Sequence, residues 1–273
     1  MAADAQSALD VVIVNFNTRE DTLTCLRSLQ AAPPRGLGSI WVVDNASTDG
    51  SAAAIRQGWP AVQLIELHEN VGFGRANNVA LARAEAPLVL LLNSDTIVPP
   101  EAIDALVARL EATGAVAAGP RLVDGQGRPE VSFGGMLSPW AEARQRRLVR
   151  LAGQDTPRAR RIIARLLSEE REVDWATGAC LLIRREAARA AGFFDERYFL
   201  YEEDVDLCAA LRARGGRIVF TPLAQITHLR GRSGAPRAHA AYDRSHLAFY
   251  EKHVPHWAPW LRWWLRLRGR SIR

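Results

Sequence analysis

The stretch Leu88-Val89-Leu90-Leu91-Leu92-Asn93-Ser94-Asp95 runs five apolar residues without a polar break and then turns polar. Such a run, short and bounded by turn residues, is the pattern of a strand buried on both faces. Working outward, the same pattern recurs. Asp10-Val11-Val12-Ile13-Val14 leads into Asn15-Phe16-Asn17, and Ile40-Trp41-Val42-Val43 leads into Asp44-Asn45-Ala46-Ser47. Val62 to Leu67 reads as a further strand. Helices are expected between them. Thr18 reads as an N-cap with Glu20 and Asp21 in the first turn, and this helix ends before Pro33-Pro34. Ser47 and Thr48 are expected to open the next helix, Arg75 to Glu85 to form a third, and Pro99-Pro100-Glu101 to begin a fourth. Repeated strand–helix units with short connections imply an α/β protein built on a mainly parallel sheet.

After Gly114 the rhythm changes. Asp124-Gly125-Gln126-Gly127 reads as a hairpin turn. Residues 139–170 read as helical and carry Arg144, Arg146, Arg147, Arg150, Arg158, Arg160, Arg161 and Arg165. Val173 to Ile183 reads as one strand, and Glu202 to Arg214 as a helix closed by Gly215-Gly216. Residues 257–273 alternate tryptophan with arginine. One domain with a C-terminal appendage is the expected organisation. The composition, 48% hydrophobic and 24% charged over 273 residues, is that of an ordinary globular chain and excludes disorder, collagen and coiled coil. Net charge is +5, almost all of it from arginine, since Lys252 is the single lysine. Such basicity admits nucleic acid, an anionic membrane or a phosphorylated ligand. Cys25, Cys180 and Cys208, odd in number and widely spaced, fit a reducing compartment better than a disulfide framework. The N-terminal residues lack a secretory pattern and no apolar run reaches the ~20 residues of a membrane span. A cytoplasmic protein, either soluble or peripheral on the inner face of the cell membrane, is therefore expected.

In an open parallel sheet, ligands bind at the carboxyl ends of the strands. Polar residues collect there in three loops, although turn and cap chemistry uses the same residue types. Asn70-Val71-Gly72-Phe73-Gly74-Arg75-Ala76-Asn77-Asn78 precedes a helix and can present backbone N–H groups to a phosphate. It is neither the dinucleotide fingerprint nor the phosphate loop. Asp95, directly after a buried strand, is placed to hold a divalent cation against a diphosphate, or else caps the turn before Pro99. The acidic run Glu202-Glu203-Asp204-Val205-Asp206 follows Tyr198, Phe199 and Tyr201. It reads either as a helix first turn favoured by the macrodipole or as a sugar-binding wall containing a general base.

Taken in order, the pieces resemble the family 2 inverting glycosyltransferases with the GT-A fold, over roughly residues 9–250. They are Val12 to Asn17, Val42 to Ser51, Asn70 to Gly74, Leu92 to Asp95, Trp175 to Cys180, Gly192 to Glu196, Tyr201 to Leu207 and His228 to Ser233. The subgroup most similar is the rhamnosyltransferases that extend lipid-linked glycans from dTDP-L-rhamnose. The resemblance implies a GT-A, Rossmann-like, mixed and mainly parallel sheet flanked by helices. It implies a transferase domain over 1–235, with a donor half at about 9–120 and an acceptor half at about 121–235. A helical, amphipathic tail then follows over 236–273. It implies Asp204 as catalytic base, Asp95 and His228 as metal or diphosphate contacts with Mg²⁺ or Mn²⁺, and Asp44 facing the nucleotide base. Asn15, Asn17, Asn45, Gly72, Arg75, Asn78, Asn93, Ser94, Trp175, Gly178 and Glu203 are the further substrate-binding positions. The processive members carry Gln-x-x-Arg-Trp; Arg262-Trp263 has Pro259 in place of the glutamine, so non-processive transfer is expected. The implied partners are a nucleotide-sugar donor, a saccharide or lipid-linked acceptor, an anionic membrane surface and a second copy of the chain. UDP- or GDP-sugar transferases and a non-catalytic nucleotide-sugar binder of the same fold are the alternatives. A nucleotidyltransferase lacks support because the first loop has no Gly-rich signature. Nucleic acid lacks support because no recognition motif accompanies the arginines.

Overall fold

The computed structural model describes residues 8–229 and 235–270. The Arg230–Ser233 part of the last matching motif and the ends of the chain lie outside these residues. The elements run in order β1 (Leu9–Asn15), α1 (Arg19–Ala31), β2 (Leu37–Asp44), α2 (Ser51–Gly58), β3 (Gln63–Glu66), α3 (Phe73–Leu81), β4 (Leu88–Asn93), β5 (Thr96–Ile97), α4 (Ala102–Thr113) and β6 (Ala117–Val123). Then come β7 (Phe133–Gly134), α5 (Pro139–Ala152), α6 (Pro157–Leu166), β8 (Arg171–Val173), β9 (Trp175–Ala176), β10 (Cys180–Arg184), α7 (Arg185–Ala191), α8 (Glu203–Arg212), β11 (Ile218–His228), α9 (Ala235–His253) and α10 (Ala258–Leu267).

The main sheet runs β3-β2-β1-β4-β10-β6-β11-β5, with β8 added on β11, while β7 and β9 form a separate ribbon. β1 to β4 pair in parallel, and β10 enters antiparallel between β4 and β6, so the sheet is mixed and mainly parallel, as expected. Every residue of β1 is buried because helices cover both faces. Val11 and Ile13 meet Leu26 and Leu29 of α1 and Leu106 and Leu110 of α4 on one face. Val12 and Val14 meet Ala76 and Ala80 of α3 and Leu207 and Leu211 of α8 on the other. Each such side chain taken from water contributes about 1.5–3 kcal/mol. A third cluster joins Tyr198 and Val205 to Leu247, Phe249 and Tyr250 of α9 and Leu261 and Leu265 of α10.

Four local expectations are corrected. Helix α2 begins at Ser51 after Gly50 at φ 81, not at Ser47 or Thr48. Those residues are held by the neighbouring loop instead: the Asn17 N–H donates to Ser47 Oγ at 2.9 Å and the Thr48 N–H to Asn17 Oδ1 at 2.7 Å. Thr18 stands at the N-cap of α1, but its hydroxyl donates to Asn15 Oδ1 at 2.7 Å rather than capping the helix. Residues 173–183 are not one strand. Asp174 accepts from the Met136 N–H at 2.8 Å and pairs with Arg212, which draws β9 off the main sheet toward β7. Finally, α3 covers Phe73–Leu81 rather than 75–85. The turn at 124–127 forms as expected, with the Gly127 N–H on the Asp124 carbonyl at 2.9 Å.

The tail helix also differs from its projected pattern. An amphipathic helix over this stretch projects Trp257, Trp260, Leu261, Trp264, Leu265 and Arg268 onto one stripe. In α10, Leu261 and Leu265 are buried with Trp264 against them, while Trp257 and Trp260 point outward with Trp263. Packing onto α9 selects the narrower aliphatic face. No described helix is long and apolar enough to cross a membrane.

Candidate active site

The parallel strands deliver three loops to one rim, and a hydrogen-bond hub joins them. Asn15, fully buried, donates to Asp44 Oδ1 at 2.6 Å and to Ser47 Oγ at 3.0 Å, and accepts from the Thr18 and Thr22 hydroxyls. Asp44 also accepts from the Ser47 N–H at 3.0 Å. Asn45 ties this floor to the glycine loop: its amide donates to Asn70 at 2.9 Å and accepts from the Val71 N–H at 2.9 Å. The N–H of Phe73 then donates to the Phe199 carbonyl at 2.9 Å, which fastens the Phe199–Tyr201 loop to the start of α3.

Two cavities meet over Asn93 and Asp95. The smaller, about 150 Å³, is lined by Phe16, Asn45, Gly72 and Ser94 among others. The larger, about 480 Å³, is lined by Trp175, Gly178, Glu203, Asp204, His228 and Tyr242 among others. Phe73, Asn93, Asp95 and Leu200 line both. Of the expected positions, Asn15, Asn17, Asp44, Arg75 and Asn78 line neither. Asn15 and Asp44 are beneath the floor, and Asn17 serves the Thr48 N–H. Arg75 is paired with Glu196 at 2.9 Å on the surface, and Asn78 exchanges two hydrogen bonds with the Phe194 backbone.

His228 is brought to Asp95 by the pairing of β11 with β5, where His228 stands opposite Thr96. Its Nε2 lies 3.3 Å from Asp95 Oδ1 and 3.5 Å from the Asn93 amide, and its Nδ1 lies 3.2 Å from Glu130. Burial pulls the imidazole pKa down, but the carboxylates on both sides outweigh it and push it up to about 9. Among the described residues no group of three or more His, Cys, Asp or Glu side chains is arranged to hold a metal ion. The donors present are therefore one carboxylate and one imidazole. Asp95 fits Mg²⁺ or Mn²⁺ completed by substrate phosphate oxygens rather than an all-protein cage, and His228 would join it only on giving up its proton.

Asp204 enters from the first turn of α8. Its carboxylate accepts from the Gly178 N–H at 2.8 Å and from the Val205 N–H at 2.8 Å. A Cβ on Gly178 would lie 3.3 Å from that of Asp204, so the approach depends on the small residue. Burial raises the Asp204 pKa, and these N–H groups offset part of the rise. Burial and the adjacent Asp204 hold Glu203 well above the usual carboxylate range, and its Oε2 has no hydrogen-bond partner. Tyr201 and Glu202, at φ 71 and 64, make a left-handed pair before the helix. Such a conformation is costly for side-chain-bearing residues and persists only where the surroundings enforce it. Here His246 of α9 does so, with Nδ1 at 2.9 Å from Glu202 and Nε2 at 3.3 Å from Glu142. Asp206 is fixed likewise by Lys252 at 2.8 Å and His253 at 2.6 Å.

The α9 contribution, with Glu142, Gln145 and Arg146 of α5, went unread in the sequence. The signal was present: Tyr242, His246 and Tyr250 recur every fourth residue and share one helix face. Tyr242 stacks on His246 with ring centroids 5.2 Å apart and stands edge-on to Tyr201 at 5.8 Å. Tyr201 and Tyr242 of this group line the larger cavity, as does Trp175.

Comparison with known proteins bears on the family and the fold. Residues 10–190 match the glycosyl transferase family 2 profile. The chain is 32% identical, over 94% of its length and 89% of the relative's, to the N-acetylglucosaminyl-diphospho-decaprenol L-rhamnosyltransferase of Mycobacterium tuberculosis. It superposes on a Pyrobaculum calidifontis mannosyltransferase solved with GDP-Man and Mn²⁺ at TM-score 0.64 and 18% identity, covering 95% of this chain and 69% of that one. It superposes on GalNAc-T7, solved with UDP, GalNAc and Mn²⁺, at TM-score 0.64 and 16% identity, covering 89% of this chain and 48% of that one. Both structures share the GT-A fold. The chain belongs to glycosyltransferase family 2.

Proposed function

We propose that the protein transfers L-rhamnose from dTDP-L-rhamnose, with inversion and one residue at a time, to a saccharide carried on a lipid diphosphate. The observation that carries this reading is the meeting of two cavities over Asn93 and Asp95, with Asp204 lining only the larger. The 32% identity to a rhamnosyltransferase over nearly the whole chain supports the choice of sugar and acceptor.

The donor diphosphate lies over Asp95 with its nucleotide in the smaller cavity, against Phe16, Asn45, Gly72 and Ser94. The sugar crosses into the larger cavity beside Trp175, Gly178 and Glu203. The acceptor hydroxyl approaches from the Tyr242 side, and Asp204 accepts its proton as the oxygen attacks the anomeric carbon. Burial makes Asp204 a stronger base than an exposed carboxylate, and the Gly178 N–H holds it in position. Burial and the adjacent Asp204 disfavour a second negative charge on Glu203 beside the leaving group. Mg²⁺ or Mn²⁺ held by Asp95, and by His228 once deprotonated, would neutralise charge growing on the departing diphosphate. Asn15 and Asp44 act from beneath by fixing the donor loops. The described cysteines are buried and unpaired, which fits work on the cytoplasmic side of a membrane.

The test is a donor panel with a lipid-linked N-acetylglucosamine acceptor and a divalent cation. The reading expects an inverted rhamnosyl product from dTDP-L-rhamnose and little transfer from UDP- or GDP-sugars. Transfer from one of those instead would overturn the sugar assignment. Donor binding without transfer under every condition would favour a non-catalytic binder.

A further inference from the structure

Helix α10 has two apolar faces, and only one is used by the fold. Ala258, Leu261 and Leu265 are buried, with Trp264 half-buried, against Leu247, Phe249 and Tyr250 of α9. Trp257, Trp260, Trp263 and Leu267 point away from it and are 36, 51, 56 and 67% exposed. Positions 260, 263 and 267 follow the helical spacing of a single stripe. Three indoles presented together within seven residues go beyond the scattered apolar side chains of an ordinary surface.

The charge on α10 itself has one sign, although Arg262 pairs with Glu251 of α9. After Glu251 the sequence contains no Asp or Glu, and it carries Arg262, Arg266, Arg268, Arg270 and Arg273. Arg268 stacks on the Trp264 ring at 4.1 Å, and Arg270 pairs with Asp243 of α9 at 2.9 Å, so guanidinium groups are held along the helix end. A helix presenting tryptophan on one side with arginine beside it has the composition that settles at the boundary between headgroups and acyl chains. Clustered arginine selects anionic lipid.

Position matters as much as composition. The cluster beneath α10 also contains Val205, Leu137 and Trp175, and all three line the larger cavity. Helix α10 therefore packs on residues that also line the acceptor side of the site.

We propose that the outer face of α10 docks on an anionic bilayer and turns the larger cavity toward acceptors held in that bilayer. Docking stands on the surface alone; its consequence for turnover rests on the lipid-linked acceptor proposed above.

The experiment uses the full chain and vesicles of phosphatidylcholine with or without phosphatidylglycerol. Flotation is expected to favour the anionic vesicles at least about tenfold at low salt. That preference should fade near 1 M salt, where the screening length falls to about 3 Å. The double variant Trp260→Ser/Trp263→Ser should bind about tenfold more weakly, since binding follows the apolar area inserted. Because both side chains are exposed, its melting temperature and its turnover of a short, water-soluble acceptor should match the wild type. Its turnover of a long-chain acceptor in anionic vesicles should fall in step with flotation. Indifference of the wild type to anionic vesicles, or unchanged flotation of the variant, overturns the proposal. So does a solution dimer that the variant splits, since a second copy would then be what covers this face. Flotation without transfer from any donor would leave docking standing and sink the proposed activity instead.

Discussion

Gly72→Ala isolates the contact that joins the two cavities. Gly72 has φ 90 and ψ 170, a region open almost only to glycine. A Cβ there would lie 2.3 Å from the Phe199 carbonyl oxygen and 3.0 Å from its Cα. Both obstacles are backbone, so no rotamer change relieves them. Dihedral strain contributes about 1–3 kcal/mol, and overpacking contributes roughly the same again. The hydrogen bond from Phe73 to Phe199 crosses the same gap, and its loss adds about 1 kcal/mol. A total of about 3–7 kcal/mol, at roughly 2–4 °C per kcal/mol for a chain of this size, lowers Tm by at least about 6 °C. Because Phe199 and Leu200 line the smaller cavity, donor KM should rise as well. Gly58→Ala is the control: a Cβ there meets nothing within 4 Å, and its Tm should stay within about 3 °C of wild type. Scanning calorimetry of the two variants decides the matter. If Gly72→Ala melts with Gly58→Ala, the reasoning from the 2.3 Å approach is wrong.

Three further outcomes follow from the site. His246 has its pKa raised from 6.5 to about 9: burial lowers it, and the hydrogen bonds to Glu142 and Glu202 more than compensate. A raised pKa stabilises the fold fully below about pH 6.5, and that contribution is lost as pH climbs through about 9. The Tm gap between wild type and His246→Gln should therefore be widest near pH 6 and shrink above pH 9; a constant gap would count against the ion pairs. Lys252→Met removes one partner of the nearly inaccessible Asp206, which keeps His253 and Tyr198. With Lys252 itself partly exposed, a loss of about 1–3 kcal/mol is expected in denaturant titration, and no change would show the tie to be idle. Asp95→Ala, or excess chelator with the wild type, should cut transfer at least about 10²-fold, and full activity in chelator would remove the metal from the account.

How far the sequence could be read depended on the range of the forces involved. β1 and β4 were legible because both faces of each are buried, leaving apolar runs that admit little else. Asp95, Asp204 and His228 were placed together through the family resemblance, and the β5–β11 pairing and the Gly178 contact supply the physical reason. Ser47 and Thr18 misled because a cap and a cross-loop hydrogen bond use the same hydroxyl, and only the partner distinguishes them. The 173–183 segment misled because Asp174 is drawn off by Met136 and Arg212, neither adjacent in sequence. The α9 helix looked like part of a tail because it is rich in polar residues. Those residues are turned inward: His246 reaches Glu202 and Lys252 reaches Asp206, contacts that span more than forty residues.

The central claim is that Asp204 takes the acceptor proton, and Asp204→Asn tests it most directly. The substitution keeps size and the capacity to accept from the Gly178 N–H, and it removes the base. Single-turnover transfer from dTDP-L-rhamnose to a lipid-linked acceptor should fall at least about 10²-fold, with donor affinity by calorimetry within about twofold of wild type. Transfer near the wild-type rate, with the inverted product still formed, would contradict the account.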